Sequence, residues 1–215
     1  MPTLGQIGAL AADHHLAIMG GFAATPADGL PGGTATLLLL GPAEPGFWPH
    51  VTAAPEFDGT PDPLDRWSYR TITALARRLG AQALFPFGNP LHPFQRWALR
   101  SGHCWSSPVR LLVHDQAGLM ASFRGALAFP HLIVLPPTPA SPCDSCAAKP
   151  CLTACPAAAL TGDHYDLPAC RALLDQPAGA NCITGGCLVR RACPVSQRYA
   201  RLPEQSAYHM RQFHR

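Results

Sequence analysis

Cys143-Asp-Ser-Cys146-Ala-Ala-Lys-Pro-Cys151-Leu-Thr-Ala-Cys155-Pro156 is the stretch on which the reading of this chain turns. Its four cysteines are separated by two, four and three residues, and a proline follows the last of them. A loop this tight carries three sulfurs on one short arc, so three thiolates can face a common centre. The fourth lies where the chain turns away, and the fixed φ of Pro156 restrains that turn. Further on come Cys182, Cys187 and Cys193-Pro194, with gaps of four and five residues and the same Cys-Pro ending, and Cys170 stands between the sets. Eight of the nine cysteines thus crowd into the last third, and Cys104 stands alone before them.

Crowded cysteines mean different things in different compartments. Residues 1–15 lack the basic and apolar regions of a secretory leader, and no apolar run reaches the roughly 18 residues of a spanning helix. We therefore expect a soluble, cytoplasmic protein with no membrane partner. Thiols there stay reduced, and a dense pattern points to metal or catalysis rather than to disulfides. Bacterial ferredoxins hold cubanes with the run C-x2-C-x2-C-x3-C-P, whose fourth cysteine serves the other cluster when two are present. The present run differs by two extra residues in its second gap. Eight thiolates and two Cys-Pro endings fit two [4Fe–4S] clusters with none left over. Two zinc sites of four thiolates would also use eight cysteines, but zinc ribbons pair two C-x2-C knuckles, and only Cys143 and Cys146 form one.

The remainder of the chain can build a core. Hydrophobic residues make up 47% and charged residues only 13%, against the usual charged share of about 25%. A chain of 215 residues buries roughly 70% of its unfolded surface and needs no disulfides to fold. Pro136, Pro137, Pro139 and Pro142 read as a stiff linker, which places a boundary near Ser141 between an α/β scaffold or small-molecule-binding domain, residues 1–140, and a cysteine-rich domain, 141–215. In the first, 3–14 reads as a helix and 34–40 (TATLLLL) as a buried strand. Asp62-Pro63 opens a helix with Leu64, Trp67, Ile72, Leu75 and Leu79 on its apolar side and Arg66, Arg70 and Arg77 opposite, and Gly80 stops it. Residues 81–87 read as a strand and 93–100 as a helix. The runs 109–114 and 119–129, on either side of Ala117-Gly118, read as a β-hairpin. Gly20-Gly21 and Gly32-Gly33 are turn material. The fold class expected is α+β, with a sheet core. There is no G-x-G-x-x-G or Walker loop, and the histidines show no metal-binding spacing.

From Arg96 to Pro194 the chain resembles the epoxyqueuosine reductase family and related corrinoid-dependent iron–sulfur reductases. The resemblance rests on four cysteines ending in Cys-Pro, the lone Cys170, and three more ending in Cys-Pro. It extends through Gln95-Arg96, Ser101-Gly102-His103-Cys104-Trp105, Leu111-Leu112-Val113 and Ala117-Gly118. It implies a nitroreductase-like α/β layer that binds cobalamin, followed by a two-cluster ferredoxin-like module with a C-terminal helix. By that pattern Cys143, Cys146, Cys151 and Cys193 hold one [4Fe–4S] cluster and Cys155, Cys170, Cys182 and Cys187 the other, while Asn89, Arg96, Cys104 and Trp105 face the corrinoid. Asn89 falls near the family's general-acid aspartate, and Asn cannot donate a proton as a carboxylic acid does. Ser106-Ser107-Pro108 replaces a Gly-Lys-Asn turn. The tail that helps grip transfer RNA has no counterpart, so a tRNA substrate is not expected.

The first function these features suggest is a soluble iron–sulfur redox protein that passes single electrons to a partner protein or small-molecule acceptor. The alternatives are a corrinoid-dependent oxidoreductase, and a binding module with structural metal sites whose basic C-terminus (Arg190, Arg191, Arg198, Arg201, Arg211 and Arg215 against Glu204) docks an acidic partner. Those arginines also offset the negative charge of metal–thiolate centres, and no aromatic platform suggests nucleic acid.

Overall fold

The computed structural model describes residues 1–214; Arg215 lies outside the described residues. In chain order the elements are α1 (Leu4–Ala12), β1 (Leu16–Ala23), β2 (Thr36–Pro42), α2 (Phe47–Thr52), α3 (Pro63–Leu79), β3 (Gln82–Leu84), α4 (Phe94–Arg100), β4 (Cys104–Ser106), β5 (Leu112–His114) and β6 (Gly125–Phe129). Five helices follow: α5 (Leu167–Leu174), α6 (Ala180–Gly185), α7 (Leu188–Ala192), α8 (Pro194–Arg198) and α9 (Pro203–His214). The class is α+β. None of the described helices is long and apolar enough to cross a membrane.

Two compact units divide the chain: Met1–His103 with Ser122–Pro139, and Cys104–Ala121 with everything from Ala140 onward. The break before Ala140 lies beside the proline-rich stretch. Residues 104–121, however, belong to the second unit, which differs from a single cut near Ser141.

The first unit is built on an antiparallel sheet in the order β1-β2-β6-β3. Leu37, Leu38, Leu39 and Leu40 of β2 are fully buried, each contributing about 1.5–3 kcal/mol through removal of its side chain from water. A strand covered on both faces belongs inside a sheet, and β2 lies between β1 and β6. The same physics corrects the expected hairpin. All five residues of β6 are buried, so it pairs with β2 and β3 in the sheet interior, while β5 pairs with β4 in the second unit. The turn at Ala117-Gly118 does form: the N–H groups of His114 and Gly118 each donate to the other's carbonyl, both at 2.9 Å.

Two further expectations change. β3 is three residues long rather than seven, because Pro86 has no N–H to continue a ladder. Gly20 and Gly21 lie within β1, at an irregularity in its register against β2, instead of forming a turn. A Cβ on Gly21 would sit 2.6 Å from the Leu37 carbonyl oxygen, so glycine is what lets these strands close.

Helix α3 forms as its pattern predicts, with Pro63 in its first turn and Gly80 ending it in the left-handed region (φ 67°). It buries Leu64, Trp67, Ile72, Leu75 and Leu79. A capping box between Thr3 and Gln6 starts α1, satisfying donors the first helical turn leaves free. At the α4 end, the buried Asp28 carboxylate accepts from the Thr25 N–H and hydroxyl, both at 2.8 Å, and pairs with Arg100 at 3.5 Å. Its carbonyl accepts from Trp97 Nε1 (2.9 Å) and Arg96 (3.1 Å). Burial opposes ionisation of Asp28, but the Thr25 donors and Arg100 outweigh it and hold the carboxyl below its ordinary 3.8.

Candidate metal centre

The second unit holds the eight clustered cysteines, and five of them pack on an apolar floor. Val109, Val113, Leu119, Leu160, Val189 and Val195 form one buried cluster with Cys151 and Cys193, against which Cys143, Cys155 and Cys187 also pack. The hairpin β4-β5 contributes to this floor, and polar contacts tie it down. The Leu119 N–H donates to Ser196 Oγ (2.9 Å), Arg190 donates to the Leu119 carbonyl, and Arg110 Nε donates to the Gly162 carbonyl at 2.9 Å. Gly118 sits where any side chain would collide: at φ +57°, an added Cβ would lie 2.5 Å from the Ser196 backbone N and 3.1 Å from Cys193 Sγ.

Cys143, Cys146, Cys151 and Cys193 line one cavity of about 240 Å³, together with Ser107, Lys149 and Arg198. Local structure explains how distant residues reach it. The Cys146 N–H closes a turn onto the Cys143 carbonyl (3.4 Å). Lys149, at φ 40°, turns the chain into a short 3-10 segment that carries Cys151. Cys193 is the extended residue before α8, with Pro194 in that helix's first turn, a place where a missing N–H costs nothing. Burial pushes the Cys143 thiol up, and the neighbouring Cys151, Cys193 and Cys146 push it further. Cys151 is likewise raised, first by burial and also by Cys193 and Cys146. Such mutual fields require that the sulfurs lie near one another.

The other four cysteines act on each other in the same way. The Cys170 thiol is raised by burial and by Cys187, Cys155 and Cys182; the Cys182 thiol by burial and by Cys187 and Cys155. Asp166 caps α5 by accepting from the Ala169 N–H (2.9 Å) and thereby sets Cys170 one turn into the helix. Cys182 lies in α6, and Cys187 immediately precedes α7. Donors point at this sulfur set: the Ala159 N–H to Cys155 Sγ (3.3 Å), the Tyr165 hydroxyl to Cys170 Sγ (3.6 Å), and the Leu188 N–H to Cys182. Burial first, and then Cys170, push the Tyr165 phenol up, so it stays protonated and able to donate.

All nine cysteines are free thiols. Among the described residues, no group of three or more His, Cys, Asp or Glu side chains closes around a point as a single bound ion would need. Thiolates are the donors that soft metal centres prefer.

The four residues tied to a corrinoid by resemblance fall in different units. Asn89 and Arg96 are exposed in the first, and Arg96 donates to the Asp28 carbonyl. Cys104 and Trp105 lie on β4 in the second. Cys104 is buried, and its thiol is pushed up to about 12 by burial and by Asp115, so it is a packed apolar side chain at neutral pH rather than a nucleophile. Sequence reasoning passed over Ser107, Ser196 and Tyr165. Only Tyr165 had a local signal: it directly precedes the Asp166 cap of a helix whose fourth residue is Cys170. Comparison with protein-family models, curated proteins and solved structures finds no match to this chain.

Proposed function

We propose that this protein is an iron–sulfur electron carrier that binds two [4Fe–4S] clusters, one on Cys143, Cys146, Cys151 and Cys193 and the other on Cys155, Cys170, Cys182 and Cys187. On this reading the second unit is the ferredoxin-type module and the first its nitroreductase-like base. The observation that carries the proposal is the cavity of about 240 Å³ walled by four cysteines that are up to fifty residues apart in sequence. The donor set fits the group: four thiols, no competing carboxylate or histidine in the wall, and an apolar floor. Zinc ribbons pair two C-x2-C knuckles, and this set has one, Cys143 and Cys146.

When bound, the clusters accept and release one electron at a time. The chain's part is to hold them and to set the conditions. Val113, Leu119 and Val195 line the cavity with apolar surface, which limits the reorganisation that accompanies a change of charge. Lys149 and Arg198, exposed at its wall, offset the negative charge of four thiolates and offer a landing point for an acidic electron donor. The Ala159 and Leu188 N–H groups stabilise sulfur that becomes more negative on reduction. A partner protein or a small-molecule acceptor would take up the electron from clusters held in this way.

The test is composition and colour. Protein purified without oxygen is expected to be brown, with about eight irons and eight acid-labile sulfides per chain and no stoichiometric zinc. Colourless protein that takes up two zinc ions per chain and cannot be loaded with iron and sulfide would overturn the proposal.

A further inference from the structure

The second group of cysteines has a neighbour that neither the metal-binding pattern nor the proposed electron-carrier role uses. Tyr165 precedes the helix cap Asp166, and Cys170 is the fourth residue of helix α5. Those are the two positions that meet in a staple across the first turn of a helix, where the side chain ahead of the cap folds over the fourth residue. Here the staple joins a phenol to a sulfur, with the Tyr165 hydroxyl donating to Cys170 Sγ at 3.6 Å.

Tyr165 is held at that place from both sides. Leu160 and Tyr165 form an antiparallel bridge. The Thr161 N–H donates to the His164 carbonyl (3.1 Å), and the Asp166 N–H to the Ala159 carbonyl (2.7 Å). The Asp166 carbonyl in turn accepts the Cys170 N–H at 3.1 Å. Donor and acceptor therefore belong to one rigid turn-and-cap unit. Tyr165 is 37% exposed, so the hydroxyl-to-sulfur contact lies at the edge of the unit.

We propose that Tyr165 is a potential-setting residue: its hydroxyl hydrogen-bonds the Cys170 ligand sulfur and raises the reduction potential of the cluster held by Cys155, Cys170, Cys182 and Cys187, leaving the other cluster unaffected. The inference rests on the electron-carrier reading. On reduction one electron enters from an external reductant, dithionite in the experiment below, and the cluster gains one negative charge. No bond to protein forms or breaks, and the phenol keeps its proton. A donor aimed at the sulfur stabilises the more negative state, so reduction becomes easier. Residues of the first group have no such phenol at their cavity wall, which makes the effect selective.

The experiment is Tyr165→Phe on the full chain, loaded with iron and sulfide, with both one-electron couples followed by EPR during an anaerobic potential titration. Phe keeps the ring of the staple and removes only the donor. One couple is expected to fall, with reduction about tenfold less favourable, or about 59 mV for one electron, while the other couple and the iron content stay at the wild-type value. Tyr165→Leu, which removes the donor and also opens the sulfur to water, is expected to lower the same couple by less, because water donors return part of what the hydroxyl gave. Full iron with both couples unmoved in Tyr165→Phe would overturn the role of the hydroxyl and leave the electron-carrier reading standing. Wild-type protein that cannot be loaded would overturn both.

Discussion

Gly118 offers the sharpest handle on how the hairpin and the cysteine-bearing segments fit together. In Gly118→Ala the new residue must hold φ +57°, which costs an L-residue about 1–2 kcal/mol. Its Cβ would lie 2.5 Å from the Ser196 backbone N and 2.6 Å from Ser196 Oγ. The first of these is backbone and cannot swing aside, so overpacking adds about 1–3 kcal/mol. Any retreat of Ser196 stretches the 2.9 Å bond from the Leu119 N–H, worth about 0.5–1.5 kcal/mol. The sum is about 2.5–6.5 kcal/mol, which lowers the urea midpoint by about 1–3 M at an unchanged slope of about 2–3 kcal/mol per M. The built Cβ also stands 3.1 Å from Cys193 Sγ, so a fall in bound iron is expected alongside the loss of stability. Gly162→Ala is the matched control in the same unit, since its Cβ meets only the Pro108 carbonyl at an ordinary 3.5 Å; a change within about 0.5 kcal/mol is expected there. Equal midpoints for the two variants would refute the close approach of Gly118 to the Cys193 segment.

Two other expectations follow from the geometry. Cys146→Ala or Cys187→Ala should each lose about half the iron and destabilise the protein, because metal binding contributes folding energy; full iron in either variant would refute the ligand assignment. Asp28 has a folded pKa below its ordinary 3.8, so its contribution to stability is fully present above that value and is lost as pH falls through the lowered one. Asp28→Asn should therefore cost about 1–3 kcal/mol at pH 7 and progressively less in acid, measured as urea midpoints across pH; a constant cost at every pH would count against an ionised Asp28.

Local signals were legible in the sequence, and non-local pairing was not. α3 could be read from Pro63, its apolar spacing and Gly80, because all of those act within the helix itself. The buried run of β2 was equally plain. By contrast, β6 follows β5 after a turn, and nothing between residues 114 and 125 says that the two strands serve different units. Only the burial of β6 on both faces decides it, and burial is a property of the finished sheet. The same limit explains Gly20-Gly21, read as a turn although the close approach of Leu37 keeps them in a strand. At the candidate metal centre, the cysteine crowding marked the segment. Ser107 and Ser196 arrive from far along the chain and leave no local trace, whereas Tyr165, five residues before Cys170, was within reach of a reading that treated helix caps as geometry.

The second unit is discontinuous in sequence, and that ordering bears on synthesis. During synthesis every strand of the first unit's sheet has been made once Phe129 is added, before any of the eight clustered cysteines. The hairpin at residues 104–121 comes earlier still, and its apolar Val109, Val113 and Leu119 wait for Cys151 and Leu160 and then Val189 and Val195. The nascent chain thus holds all the strands of the sheet and the hairpin before most of the residues that the hairpin packs against. A cut at the proline-rich stretch would separate that hairpin from the rest of its own unit.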